Sequence, residues 1–126
     1  MKAVWYNKFG NPKDVLVYGE QEIVAPAANE VQVKLSKSGV NPSDTKKRNG
    51  AAPTLLDNGF VIPNSDGSGV ITAIGAGVYP GRLGERVWVY NGQYGRRLGT
   101  SAEYLTLPKN QAVNLPEQAS FAEGAC

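Results

Sequence analysis

The chain has 126 residues, of which 41% are hydrophobic and 19% charged, and its formal net charge is +2. This length predicts one domain with a real core, and the composition excludes a disordered chain. The weak, scattered positive charge argues against nucleic-acid binding, and one cysteine with no histidine argues against a zinc site or disulfide framework. No apolar stretch approaches the ~20 residues of a membrane span, and the first residues lack a secretion signal, so we expect a cytoplasmic protein.

Short strands separated by turns follow one another along the chain. The clearest strand signal comes from Val31, Val33 and Leu35, which alternate with polar residues and so predict one buried face. The strands predicted in this way are residues 2–6, 15–24, 30–39, 68–75, 86–90 and 100–107, with a further short one at 113–116. This spacing favours a mainly β fold, a small and partly open barrel with short helices.

The stretch from residue 40 to 44 carries most of the chemistry. Asn41 precedes Pro42, which disfavours helical backbone at Asn41 and restricts the direction of its amide. A short helix is predicted at residues 43–49, with Asp44 in its first turn, basic residues in its last turn and Gly50 after it. From the residues alone, Asn41 and Asp44 are either a capped turn or part of a site.

Other candidate motifs are weak. Gly75-Ala76-Gly77 follows a strand, but a proline and further glycines come next instead of a helix, so a β-turn is favoured over a dinucleotide loop. The basic runs at 46–48 and 96–97 are typical of helix ends and solvent-facing loops. The aspartates are too dispersed along the sequence to predict a metal site made of carboxylates.

A helix start is indicated near the end of the chain. Ser120 and Glu123 have the spacing of a capping box, which predicts a helix from residue 121. A helix of less than two turns is not stable alone in water, so we expect the natural protein to continue past Cys126.

Five segments of the sequence, taken in order, resemble the motifs of a known family. They are GVNPSDT at 39–45, IPNSDGSGVI at 62–71, GERVW at 84–88, GTSAEY at 99–104, and the entry to a linking helix at 115–125. In this order they resemble the quinone oxidoreductase (zeta-crystallin-like) branch of the medium-chain dehydrogenase/reductase family. The resemblance implies a GroES-like β-barrel in which residues 1–126 form the substrate-side, catalytic domain. It also implies a Rossmann nucleotide-binding domain after residue 126 and a homo-oligomeric complete enzyme.

The resemblance further implies hydride transfer from NADPH without zinc. Zinc alcohol dehydrogenases of the family have a cysteine ligand where Asn41 stands, and further ligands near residues 64–66 that are also absent here. Without a Lewis acid an alcohol is a poor hydride donor, so a quinone or enone acceptor is expected, with no metal, nucleic acid or membrane as partner.

The same resemblance assigns roles to individual residues. Asn41 is expected to contact the nicotinamide or the substrate, and Asp44 to orient Asn41 or a bound water. Tyr90, Asn91 and Tyr94 are expected to line the substrate cleft. Relatives often carry a tyrosine at the position of Lys46, so the acceptor stays open.

One alternative from another class also stays open. A stand-alone GroES-like binding or co-assembly module without enzymatic activity needs a mobile apolar loop, for which residues 51–60 are the only candidate.

Overall fold

Seven strands and three short helices make up the computed structural model, which describes residues 1–126. The strands are β1 (Lys2–Trp5), β2 (Val17–Glu20), β3 (Glu30–Gly39), β4 (Asp66–Ile74), β5 (Arg86–Val89), β6 (Tyr104–Pro108) and β7 (Ala112–Asn114). The helices are α1 (Pro12–Val15), α2 (Pro42–Arg48) and α3 (Phe121–Gly124), with single 3-10 turns at Pro53–Leu56, Pro80–Arg82 and Lys109–Gln111. No helix combines the length and apolar character that crossing a membrane requires.

The strands form an open, mainly antiparallel barrel. Five of them pair in the order β6-β3-β4-β5-β7, and β1 pairs with β2 in a separate two-stranded sheet. Isolated bridges join the two parts, among them Ala3 with Ala102 and Tyr6 with Val61. The predicted mainly β, partly open barrel is therefore confirmed.

The core lies on one face of the five-stranded sheet. The predicted alternation in β3 is confirmed, because Val31 and Val33 are buried and Leu35 packs against them at the edge of the core. Register shifts on either side of Val33–Leu35 bend the strand, as β-bulges do in barrels. The bend lets one long strand pair with β4 along its whole length and with β6 along its first half.

A smaller apolar cluster includes part of the loop at residues 51–60. The alternative function, a stand-alone binding module, requires this loop to be mobile. Tyr6, Val15 and Val61 are buried together, and Leu55 and Leu56 pack against them. Leu55 and Leu56 of this loop are therefore half-buried against the fold.

The strand predicted at residues 15–24 is wrong in its first and last parts. Pro12 has its φ angle pre-set for a helix and begins α1, and Leu16 ends this helix by donating its N–H to the Pro12 carbonyl at 3.0 Å. Only residues 17–20 then pair with β1.

The strand predicted at residues 100–107 starts late. The N–H groups of Thr100 and Ser101 donate to the carbonyls of Asn64 and Pro63 at 2.9 and 3.1 Å, outside any ladder. Pairing with β3 therefore begins at Tyr104.

The predicted turn at Gly75-Ala76-Gly77 is confirmed. The φ angle of Gly77 is +83°, which side chains rarely adopt. A Cβ at Gly75 would lie 1.7 Å from the Ala27 carbonyl oxygen, so this glycine is required by a close backbone approach.

Candidate active site

The N-terminus of α2 holds Asn41 in a defined position. Asn41 leaves β3 in an extended conformation (φ −116°, ψ 160°), as predicted from the proline that follows it. Its backbone N–H donates to Asp44 Oδ2 at 2.7 Å, and the Asp44 N–H donates to the Asn41 carbonyl at 3.0 Å. Asp44 is only 4% exposed, so its carboxylate belongs to the interior and not to solvent.

The side chain of Asn41 is held by a second aspartate. Asn41 Nδ2 donates to Asp66 Oδ2 at 2.6 Å. A carboxylate only accepts, so this contact fixes which end of the amide faces Asp66. An amide nitrogen carries two protons, and Asp66 takes one of them. The second N–H remains available at this partly exposed residue for a carbonyl oxygen of a ligand.

Asp66 is a candidate site residue that the sequence alone does not predict. The aspartates are dispersed along the sequence, whereas the β3–β4 register pairs Asp66 directly with Gly39, two residues before Asn41. The available signal was the position of Asp66 at the start of β4, the strand that follows β3 in the chain. Asp44 and Asp66 thus meet on Asn41, yet no group of three or more His, Cys, Asp or Glu side chains is placed to hold a metal ion.

The predicted cleft residues are not brought to Asn41 by any hydrogen bond. The Tyr90 hydroxyl donates to the Asn110 carbonyl at 3.2 Å. Asn91 adopts a positive φ of 50° and turns the chain, and its carbonyl accepts from Gln111 at 3.0 Å. Tyr94 is 80% exposed at the loop tip.

The loop after β5 contacts the Asn41 corner through different residues. The Gly92 N–H donates to the Ser65 carbonyl at 2.8 Å, next to Asp66. Gln93 is 2% exposed, and neither its amide oxygen nor its amide nitrogen has a hydrogen-bond partner. A buried glutamine leaves no distinctive pattern in a sequence, which is why it was not predicted.

Two further unpartnered atoms accompany Gln93 in the interior. They are the hydroxyl of Tyr6, which is fully buried, and Asp44 Oδ1. Burial raises the pKa of Tyr6 above its ordinary value; the Arg48 charge lowers it, the Asp44 carboxylate raises it and the Gln93 amide lowers it. Asp44, Gln93 and Arg48 are therefore the side chains close enough to this hydroxyl to influence its pKa.

A cavity of about 510 Å³ lies elsewhere on the barrel. Its walls combine apolar side chains with Arg96, Arg97 and Glu30, and include none of the predicted site residues. Burial lowers the pKa of Arg96, while the Glu30 charge acts in the opposite direction. The Arg96 guanidinium is already bound to Gly92 and Gln111, so it serves the loop structure.

The basic residues at 46–48 of α2 have different roles. Lys46, at the position where relatives often have a tyrosine, is exposed on the helix. Arg48 instead donates through Nε to the Gly10 carbonyl at 3.1 Å and joins the helix to the loop after β1. This run therefore serves the helix end and the fold.

An open antiparallel barrel with a helix starting directly after its longest strand defines the class of domain as GroES-like. Residues 27–117 match the alcohol dehydrogenase GroES-like domain, and the chain belongs to that family. The quinone oxidoreductase of Rattus norvegicus is 30% identical over 128 residues, and the chloroplastic quinone-oxidoreductase homolog of Spinacia oleracea is 32% identical over 127. Each alignment covers 99% of this chain.

Solved structures of quinone oxidoreductases have the same fold. The Coxiella burnetii enzyme superposes with a TM-score of 0.86 at 28% identity, covering 99% of this chain and 40% of that one. The Escherichia coli enzyme complexed with NADPH gives 0.84 at 28% identity, covering 99% and 36%. The chain spans little more than a third of its curated relatives, 36% of the Rattus protein and 38% of the Spinacia protein.

Proposed function

We propose that the chain is the substrate-side domain of an NADPH-dependent quinone or enone oxidoreductase that transfers hydride without zinc. A Rossmann domain following residue 126 completes the cofactor site. This proposal is supported by the relatives named as quinone oxidoreductases and by the two-thirds of their length that lies outside the matched region.

The observation that carries the proposal is the fixed amide of Asn41. Its backbone is tied to Asp44 and its side chain to Asp66, so the free N–H of Nδ2 keeps one direction. Such a donor suits a neutral carbonyl oxygen, whether in the carboxamide of a nicotinamide or in a quinone or enone. A preorganised hydrogen bond to an oxygen on which negative charge develops stabilises the transition state.

The donor set around Asn41 supports chemistry without a metal. An amide nitrogen that already donates to a carboxylate is no ligand for zinc, which takes thiolate, imidazole and carboxylate groups. Zinc would activate an alcohol for oxidation by lowering the pKa of its hydroxyl. Reduction of an electron-poor acceptor needs no such activation.

The division of labour follows from these contacts. NADPH supplies the hydride when bound. In this chain Asn41 orients the nicotinamide carboxamide or the substrate carbonyl, and Asp44 and Asp66 orient Asn41. We retain Tyr90, Asn91 and Tyr94 as proposed cleft residues, since the loop they occupy reaches the corner through Gly92.

A homo-oligomeric complete protein and a cytoplasmic location also remain proposals, to be tested by light scattering and by cell fractionation.

Kinetics on the complete protein that contains this chain tests the function. We expect oxidation of NADPH, followed at 340 nm, with a small quinone such as 1,4-benzoquinone and with an enone. The rate should be unaffected by a chelator. Chelator-sensitive oxidation of an alcohol, or no turnover of any quinone or enone, would overturn the proposal.

Asn41→Ala tests the role of the amide in the same protein. The variant should fold normally and lose about tenfold in kcat/KM, the value of one hydrogen bond to a carbonyl that gains charge. Asn7→Ala is the matched control, since Asn7 is exposed and its side chain makes no hydrogen bond. Identical kinetics for both variants would remove Asn41 from the site.

A further inference from the structure

Three buried polar side chains with unpartnered atoms come from different parts of the fold. Tyr6 follows β1, Asp44 lies in the first turn of α2, and Gln93 lies in the loop after β5. Their exposed fractions are 0%, 4% and 2%. Four of their atoms, the Tyr6 hydroxyl, Asp44 Oδ1 and both amide atoms of Gln93, have no hydrogen-bond partner.

The four atoms are chemically complementary. The Tyr6 hydroxyl and the Gln93 amide nitrogen donate, while Asp44 Oδ1 and the Gln93 amide oxygen accept. Leaving a buried polar group without a partner is costly, and buried polar groups in folded proteins are therefore almost always paired. The backbone of Tyr6 is rigidly placed, since its N–H and carbonyl both pair with Val61 at 2.9 and 2.8 Å. The Tyr6 ring therefore leaves a firmly held segment of backbone, which limits where its hydroxyl can lie.

We propose that Tyr6 and Gln93 are positioning residues that hold the Asp44 carboxylate by hydrogen bonds, directly or through one internal water, and through Asp44 hold Asn41. The carboxylate has two oxygens with separate tasks. Oδ2 accepts the N–H of Asn41 at 2.7 Å, and Oδ1 is buried without a hydrogen-bond partner. The loop after β5 thereby contributes to the site through the buried Gln93 and not through its exposed residues.

The consequence for catalysis rests on the proposed function, but the contacts do not. If the cluster is weakened, the Asp44 carboxylate gains freedom and the first turn of α2 holds Asn41 less firmly. Two kinds of measurement therefore separate the contacts from the chemistry.

Stability of the 126-residue chain tests the contacts. Tyr6→Phe deletes one hydroxyl, and Gln93→Met deletes the amide at similar volume. Each should lower the folding equilibrium constant about fivefold and Tm by roughly 3–6 °C, as expected for one lost hydrogen bond. In the double variant the losses should be clearly less than additive, because the two residues share partners. Tyr104→Phe is the matched control, since the Tyr104 hydroxyl is outside the cluster, and it should leave Tm unchanged.

A different set of results would overturn the proposal. If Tyr6→Phe is neutral or stabilising, the hydroxyl has no partner, and if the two losses are additive, Tyr6 and Gln93 do not act together. NMR supplies the readout that a purely structural role would not move: the side-chain NH₂ signals of Asn41 should shift in Tyr6→Phe and not in Tyr104→Phe. Unchanged Asn41 signals would also overturn it.

Kinetics on the complete protein then connects the cluster to the reaction. Tyr6→Phe should lower kcat by several fold with little change in the KM for NADPH. The reason is that a less firmly held Asn41 N–H weakens the hydrogen bond mainly in the transition state. An inactive wild-type protein with coupled stability losses would reject the proposed function and keep the contacts. An active wild-type protein with additive losses and unmoved Asn41 signals would do the reverse.

Discussion

Asn41 Nδ2 donates to Asp66 Oδ2 at 2.6 Å, and this contact joins the end of β3 to the start of β4. The two residues are 25 positions apart in the chain and meet because the antiparallel register places Asp66 opposite Gly39. Since the carboxylate can only accept, it also decides the orientation of the amide. Asp66 is therefore the residue that converts a helix-capping asparagine into an oriented hydrogen-bond donor.

Replacing Asp66 should misorient Asn41 without unfolding the domain. In Asp66→Ala the amide loses its charged partner and rotates freely, so kcat/KM of the complete protein with NADPH and a quinone should fall about tenfold or more. Asp66→Asn keeps one carbonyl acceptor and should retain intermediate activity. The Asp66 backbone carbonyl still accepts from Thr100 in both variants, so far-ultraviolet circular dichroism and Tm should change little.

Asp57→Ala serves as the control for this pair. Asp57 is exposed and its side chain makes no hydrogen bond, so its removal should leave kinetics unchanged. Equal activity of Asp66→Ala and wild type would show that Asp66 does not orient the amide. Equal losses in the alanine and asparagine variants would instead assign the effect to charge.

The backbone and the side chain of Asn64 affect the free energy of unfolding in separate ways. Its φ angle is +76°, and its Nδ2 donates to Ser38 Oγ at 3.0 Å and Ser101 Oγ at 2.7 Å. Asn64→Ala should lower the free energy of unfolding by about 2–4 kcal/mol, since it loses both hydrogen bonds and keeps a strained backbone. Asn64→Gly should lose about 1 kcal/mol less, because glycine adopts this conformation freely. Urea denaturation of the two variants gives the comparison, and a larger loss in the glycine variant would contradict it.

The strand pattern was readable from the sequence because it is local. Alternation at Val31, Val33 and Leu35 marks β3, and the proline after Asn41 marks the extended exit and the helix that follows. The same local logic predicted the helix end at Gly50, which has a φ of +101°. At Ser120 the hydroxyl accepts the Glu123 N–H at 3.1 Å, as the capping pattern predicts.

Contacts that depend on register were not readable in the same way. Asp66 joins Asn41 only once β3 and β4 are paired in one register out of several possible ones. The Gln93 side chain and the Tyr6 hydroxyl are polar groups in the interior. The local sequence pattern predicts instead that a glutamine lies at the surface and that a tyrosine lies in a strand. Tyr94, the most visible residue of its loop in the sequence, is in fact 80% exposed, while the neighbouring Gln93 is buried.

Arg86 attaches α3 to the barrel in a way that lysine cannot reproduce. Its guanidinium donates to the carbonyls of Pro116 at 3.2 Å and Ala119 at 2.6 Å and lies 4.7 Å from the ring centre of Phe121. Arg86→Lys keeps the charge and loses the fork and the stacking. The amide of Gly124, which donates to the Ser120 carbonyl, should exchange with deuterium roughly five- to tenfold faster as α3 opens more often.

Arg97→Lys is the matched control for this exchange measurement. Arg97 also stacks on a phenylalanine, Phe60 at 4.5 Å, and donates to its carbonyl, but it does not contact α3. Exchange at residues 121–126 should therefore match wild type in this variant. Faster exchange in both variants would mean that α3 responds to general loosening of the barrel.

Alkaline pH provides a test centred on Tyr6. Burial raises the pKa of its hydroxyl above the ordinary value of 10.0, with the Asp44 carboxylate acting in the same direction and Arg48 and Gln93 in the other. A group whose pKa is higher in the folded state contributes stability that is complete below the unfolded pKa and is lost as pH rises toward the folded one. The wild-type urea midpoint should therefore fall from about pH 10 upward by more than that of Tyr6→Phe.

The comparison between the two proteins isolates Tyr6 from every other group that titrates in the same range. Lysines and the exposed tyrosines are present in both, so their contributions cancel in the difference. Near neutral pH the wild type should be the more stable protein, and its advantage should shrink steadily above pH 10. In Asp44→Asn, where the carboxylate charge is gone, ultraviolet titration should show a lower pKa for Tyr6 than in wild type. A difference between wild type and Tyr6→Phe that stays constant from pH 8 to pH 11 would show that the hydroxyl ionises equally easily in the folded and unfolded chain.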